Sequence, residues 1–247
     1  MNRFIGSALV VLLSALTVSA AVPAAITPGE EVLVEKATSG NHGGRLVVAL
    51  RAEPRTLNPA IAADAPSREV IGRMIADLIH IDRATQATEA ALATEWKRSS
   101  DGREYTLKLR KGIRFSDGRP FDADDVVFTF QVLLDERTGS PNRDLLIVGG
   151  QPVRVTKVDE YTVRLTMAQP YAAAERLFDS IAILPRHLLV EAYTKGAISN
   201  MWAVSTPAAA VAGLGPYRLK EYVAGQRLVL ERNPYYWKTD SAKRRLP

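Results

Sequence analysis

Few residues in this chain have the type and spacing to carry out chemistry, and those few suit holding a ligand better than transforming one. There is no cysteine, which removes thiol nucleophiles, disulfide scaffolds and Cys-ligated metals without fixing the compartment. His42, His80 and His187 are scattered and match no zinc-ligand spacing. The sequence contains no G-x-S-x-G, no H-E-x-x-H and no phosphate-binding P-loop. Paired acids for glycoside cleavage meet only in three dimensions, and nothing in the spacing points to them. Asp122, Asp124 and Asp125 lack the glycine and distal glutamate of a calcium loop. Acids at those positions suit the start of a helix, where the dipole favours negative charge. No catalytic residue, metal or cofactor is therefore expected.

Two places remain for a ligand. Glu53 follows a short apolar run, and α/β clefts form beyond strand ends; it also reads as a solvated loop carboxylate. Gly213-Leu214-Gly215 could offer backbone groups to a ligand, although a bare Gly-x-Gly reads first as a turn. The candidate ligand-binding residues are thus Glu53, Gly213, Leu214 and Gly215. Trp96, Tyr105, Phe115 and Phe121 read as core, and Asp101-Gly102 and Asp117-Gly118 as turns.

The elements that must position these residues follow from periodicity. Arg45–Leu50 is a short apolar run, expected as a buried strand that opens the fold near Gly44. Ser67–Ile81 carries apolar residues at helical spacing. Tyr105–Arg110 alternates as a half-buried strand. Asp122 is placed to cap a helix over Asp124–Leu134. Val153–Val158 and Tyr161–Met167 predict a hairpin around Asp159-Glu160, and Tyr217–Glu221 with Gln226–Glu231 another around Ala224-Gly225. Tyr171–Phe178 and Arg186–Tyr193 are expected as helices, the second with Pro185 at its first position. Irregular interspersion of strands and helices argues for a mixed-sheet α/β body, not a doubly wound fold.

Composition bounds the partners. The 247 residues are 47% apolar and 24% charged, a globular balance that excludes wholesale disorder. The net charge is +5, but Arg3 lies in the leader described next, and Lys238, Lys243, Arg244 and Arg245 gather near the end. The rest is close to neutral, without the basic stripe of a nucleic-acid binder. Arg3, then the apolar Phe4–Leu16, then Thr17-Val18-Ser19-Ala20-Ala21 make a secretory leader with a small-residue exit. Residues 1–21 are read as this signal peptide, and 22–43 as a flexible, polar lead-in. A lipid anchor would need a cysteine after the signal. The mature protein is expected to be exported; the resemblance described next implies a monomer in the periplasm.

The stretch EWKRSSDGREYTLKLRKGIRFSDGRPFDADDVVFTF changes the character of the reading. Its Trp96, Asp101-Gly102, Tyr105-Thr106, Leu109-Arg110, Gly112, Phe115, Asp117-Gly118, Pro120-Phe121 and Asp125-Val126 resemble the signature region of the family 5 extracellular solute-binding proteins, the dipeptide/oligopeptide-type receptors of ABC importers. Pro54–Pro59, Gly215-Pro216-Tyr217 and Glu231-Arg232-Asn233-Pro234-Tyr235-Tyr236-Trp237 resemble three further family blocks in order. Together they cover about residues 44–240. The resemblance implies a periplasmic binding protein-like (type II) fold, a clamshell that closes on its ligand by hinge motion. Residues 44–247 would be its first lobe with a subdomain inserted over roughly 60–180, the second lobe lying outside this sequence. It implies a peptide or other small solute as ligand, inner-membrane permease subunits as partners, and a ligand contact at Glu53. This half alone should bind ligand poorly or not at all. Ser116, Asn58 and Leu214 depart from the family's usual His, Asp and Thr or Asn; the first two read as surface or turn changes, the third as lying near the cleft. An exported hydrolase and the sensor lobe of a receptor are the alternatives.

N-terminal sequencing of the exported protein should begin at Ala21 or Val22; an intact Met1 on membrane-bound material would contradict the cleaved leader.

Overall fold

Alternation along Glu104–Leu109 turns Tyr105, Leu107 and Leu109 inward and leaves Lys108 exposed, the pattern of a sheet with one buried face. A computed structural model describes residues 23–35 and 43–246; the leader and His42 lie outside the described residues. The strands in chain order are β1 (Leu33–Val34), β2 (Ile79–Ile81), β3 (Thr88–Ala90), β4 (Ala93–Arg98), β5 (Glu104–Leu109), β6 (Ile147–Val148), β7 (Gln151–Pro152), β8 (Arg154–Asp159), β9 (Thr162–Thr166), β10 (Tyr217–Val223), β11 (Arg227–Arg232) and β12 (Lys238–Thr239). The α-helices are α1 (Ala65–Ile71), α2 (Ala123–Leu134), α3 (Ala174–Phe178) and α4 (Arg186–Thr194).

The largest sheet runs β4-β5-β9-β8, all antiparallel. Tyr105 faces Leu165 and Leu107 faces Val163 across the β5/β9 pair, so the buried side chains stack on one face. Helix α2 lies against β8 and β9 and contributes Val126, Phe130 and Leu133 to the core. Tyr105 meets Phe178 of α3 edge-on at 5.4 Å between ring centres. Hairpins β2/β3, β6/β7 and β10/β11 and one parallel pair, β1/β12, complete the mixed architecture.

Helix α2 begins as its sequence predicts. The Asp122 carboxylate accepts the Asp124 amide at 2.7 Å, and the Asp125 carboxylate accepts the Asp122 amide at 3.1 Å, a reciprocal capping box. The other Asp125 oxygen accepts the Arg186 amide at 2.9 Å, and Thr129 Oγ1 accepts the Leu184 amide at 2.9 Å. The start of α2 therefore also anchors the start of α4. Pro185 sits at the N-cap of α4, one residue before the expected first turn.

Four expectations need correction. The run 45–50 is extended but pairs with no described strand, and Leu46 and Val47 are 85% and 75% exposed. Hydrophobicity marks a residue that can be buried; a strand also needs a pairing neighbour, which the run lacks here. The helical stripe of 67–81 forms a helix only to Ile71: Gly72 closes it, its amide returning to the Arg68 carbonyl. Val70, Ile71, Met74, Leu78 and Ile79 are nonetheless all buried, now from helix, turn and strand. Residues 23–35, read as part of the lead-in, are docked: the Leu33 amide donates to Trp237, the Glu35 amide to Thr239, and the Ala24 amide to Pro234. Asn58 and Ser116 are not surface changes but buried. The Asn58 amide group donates to the carbonyls of Ile198 and Met201 at 2.8 and 3.3 Å, which a carboxylate has no hydrogen to do.

Replacing Asp122 with Ala removes the cap and should cost about 0.5–2 kcal/mol in denaturant titration. Burial pushes the Asp125 carboxyl up to about 6, and burial with the nearby Asp179 carboxylate pushes Asp77 up to about 8. Both bind a proton more tightly in the native state than in the unfolded chain. Their contribution to stability should therefore fall as pH rises, from about 4 through 6 for Asp125 and on through 8 for Asp77. Stability profiles of Asp125→Asn and Asp77→Asn should each be flatter over the corresponding window.

Candidate functional site

Gly213 and Gly215 stand where two backbones nearly touch. A Cβ on Gly213 would lie 1.9 Å from the Met74 carbonyl oxygen, and one on Gly215 2.5 Å from the Met74 carbonyl carbon. Only glycine fits such an approach. It lets the Gly215 amide donate to Met74 at 2.9 Å and the Tyr217 amide to Arg73 at 3.0 Å, which ties the turn after α1 to the root of the β10/β11 hairpin.

The groups around this junction are taken up within the chain. Gly213 and Ser116 form a reciprocal pair: the Ser116 amide donates to the Gly213 carbonyl at 2.9 Å, and the Gly213 amide to Ser116 Oγ at 3.2 Å. The Trp237 indole donates to the Leu214 carbonyl at 3.0 Å, and the Asn233 side chain to the Gly215 carbonyl at 2.8 Å. Gly213, Leu214 and Gly215 are all buried, and the Leu214 side chain belongs to the core. Their geometry is that of a packing joint, in which each of the three carbonyls accepts a hydrogen bond from within the chain. Trp237 is fixed in turn by the Arg110 guanidinium, 5.4 Å from the ring centre, whose Nε donates to Ala91.

Glu53 lies in a different place. Both carboxylate oxygens face the far end of the same hairpin: Oε2 accepts the Tyr222 hydroxyl at 3.1 Å, and Oε1 accepts the Gly225 amide. Gly225, at φ +70°, supplies the left-handed residue of the turn. Seven residues of β10 separate the root from the tip, roughly 20 Å at the rise of an extended strand. The four candidate residues are therefore not brought together. Glu53 is exposed at the hairpin tip, and Gly213–Gly215 are buried at its root.

Sequence reasoning missed Tyr222, Ser116 and Met74 as partners of these residues. The two glycines flanking one leucine read as a turn or as backbone groups for a ligand, and nothing local named the Met74 backbone that they approach. His187 Nε2 lies 2.6 Å from Asp117 Oδ2, with the ring edge-on to Phe115, joining the Asp117-Gly118 turn to α4. Asp77, His80, Arg83, Gln86, Arg176 and Asp179 line a polar cavity of about 460 Å³ beside β2. Among the described residues no group of three or more acids and histidines is placed to hold a metal ion, and no helix is long and apolar enough to cross a membrane.

Gly213→Ala should destabilise the fold by about 3 kcal/mol or more, because the neighbouring atoms are backbone and cannot swing aside. Thermal unfolding measures this; a melting temperature within a degree of the parent would contradict the packing role.

Residues 87–245 match the family model described as bacterial extracellular solute-binding proteins, family 5. The chain is 31% identical over 199 residues, 78% of its length, to a "Probable ABC transporter-binding protein" of Deinococcus radiodurans. It is 29% identical over 246 residues, 94% of its length, to the periplasmic oligopeptide-binding protein OppA of Salmonella typhimurium. These alignments span 33% and 42% of the two relatives' own lengths. Among solved structures, the ABC transporter substrate-binding protein CtaP of Listeria monocytogenes superposes with a TM-score of 0.66 at 31% identity, covering 78% of this chain and 38% of that one.

Proposed function

The chain belongs to the bacterial extracellular solute-binding proteins of family 5, and on that premise we propose that it serves peptide uptake, as the exported solute-binding component of an ABC importer. The observation that carries the reading is the family match over residues 87–245, which runs through the central sheet, the glycine joint and the Asn233–Trp237 block. The names of the relatives, a transporter-binding and an oligopeptide-binding protein, supply the ligand class and the partner.

On this reading residues 44–247 supply one lobe of a clamshell, with a subdomain inserted over roughly 60–180, and the ligand favours a closed state by touching both lobes. The leader is cleaved, the protein works as a periplasmic monomer, and its partners are permease subunits in the inner membrane. No step of bond-making is assigned to it. Glu53 is the ligand contact retained from the sequence, since it is exposed and charged, whereas the Gly213–Gly215 carbonyls are engaged internally.

Binding free energy sets the scale of the test. A micromolar peptide corresponds to roughly −8 kcal/mol; if this lobe supplies half, the remaining −4 corresponds to about millimolar affinity. Saturation-transfer NMR with di- to pentapeptides reads that range. Transfer to intact peptides is the expected outcome. Hydrolysed peptides in the same sample would establish an exported hydrolase instead and overturn the reading.

A further inference from the structure

The polar cavity beside β2 is lined by opposite charges that do not meet. Asp77 and Asp179 are partly buried in its wall, whereas Arg83 and Arg176 are exposed. Among the described residues neither arginine is ion-paired to either aspartate; the cation in contact is His80, whose Nδ1 lies 3.5 Å from Asp179 Oδ1. That same oxygen accepts the Ile81 amide at 2.9 Å. Asp179 Oδ2 and both oxygens of Asp77 are left without a hydrogen-bond partner among the described residues. The arginines are held in their places. Gln86, at φ +59°, accepts Arg176 Nη2 at 3.4 Å and donates Nε2 to the Arg83 carbonyl at 3.0 Å. The Asp82 carboxylate accepts the Ala84 and Thr85 amides at 2.9 and 2.7 Å, fixing the turn that carries Arg83. Glu175 of α3 is taken by Thr88 and Trp96.

We propose that this cavity is a second ligand site, for a small zwitterion of the amino-acid class, its ammonium group received by Asp77 and Asp179 and its carboxylate by Arg83 and Arg176. The site is separate from Glu53 and does not depend on the peptide reading. A lone cation would satisfy the aspartates and face two unpaired arginines; a lone anion would meet the reverse. A zwitterion pairs both sets, through charge-assisted hydrogen bonds of the stronger kind, and the guanidinium fork matches a carboxylate. The cavity, about 460 Å³, falls within the range of small-molecule sites, roughly 300–1,000 Å³. Burial and the Asp179 carboxylate push the Asp77 carboxyl up to about 8, as expected of an acid without a countercharge. An ammonium group is received by the ionised form, so affinity should rise with pH toward that value.

The test is NMR on the whole chain with L-alanine, with ethylamine, which lacks its carboxylate, and with propionate, which lacks its ammonium. Saturation transfer should favour L-alanine over both fragments, and alanine should shift the backbone amides of Ile81, Arg83, Gln86 and Ser180. Its affinity should be about tenfold or more higher near pH 8 than near pH 6. Asp77→Asn keeps the shape and removes the charge; it should weaken alanine binding about tenfold or more at the higher pH and flatten the pH dependence. Replacing Arg83 and Arg176 with Gln should weaken alanine and spare ethylamine. Equal binding of ethylamine and alanine by the parent would overturn the zwitterion assignment. Alanine shifts confined to Glu53 and Tyr222–Gly225, or no shifts at all, would overturn the second site. Neither result touches peptide binding, which is read separately.

Discussion

The contact of Gly213 and Gly215 with the backbone of Met74 and Ile75 is the constraint around which the described fold is arranged. Backbones that close leave no room for a Cβ, and they bury polar groups that must then be paired. The sequence meets that demand with side chains drawn from distant segments: Ser116 for the Gly213 amide, Trp237 for the Leu214 carbonyl, and Asn233 for the Gly215 carbonyl. Each is specific in type. Asn233 also accepts the Tyr235 amide at 2.9 Å, so its side chain acts as donor and acceptor at once, which neither Asp nor Leu could do. The ordered blocks around Gly215 and Asn233 thus have one physical origin, a joint made of backbone and satisfied by side chains.

A second restraint closes the ends of the described segment on each other. Arg245 and Glu30 form a bidentate pair at 2.7 and 2.8 Å, with side chains 3% and 4% exposed. The guanidinium also donates to the carbonyls of Ala24 and Tyr236. Burying two charges costs several kcal/mol per ion, and the attraction offsets it only when the remaining donors are satisfied. Here they are, by backbone carbonyls of the segments the pair joins. With β1 lying parallel to β12, the pair explains why residues 23–35, polar and rich in turn formers, are packed. Local composition described a loop; the partner that orders it lies more than two hundred residues away.

That separation divides what was legible in the sequence from what was not. The β8/β9 and β10/β11 hairpins, the alternation of β5 and the capped start of α2 depend on neighbours within a few residues, and composition and period revealed them. The 67–81 stripe identified buried positions correctly and the element wrongly, because burial on one side is satisfied equally by helix, turn and strand. At 45–50 the apolar run was visible, and the missing ingredient was a pairing strand. The site divides in the same way. Glycine spacing suggested a turn or backbone groups for a ligand; only the fold shows the close approach to Met74 and that the root and tip of one hairpin hold Gly213–Gly215 and Glu53 apart.

This division also bears on how such a body recognises a solute. Groups at the joint are buried and paired within the chain. Groups at the hairpin tip are different: Glu53 accepts from two neutral donors and is exposed. The same hairpin joins the two regions mechanically. Its root is pinned at Met74 and Arg73 and its tip is held by Glu53, so a force on the tip acts on a strand pair whose other end cannot move without opening the glycine joint. Joint and tip are thus the two ends of one antiparallel strand pair, each tied to a different distant segment of the chain.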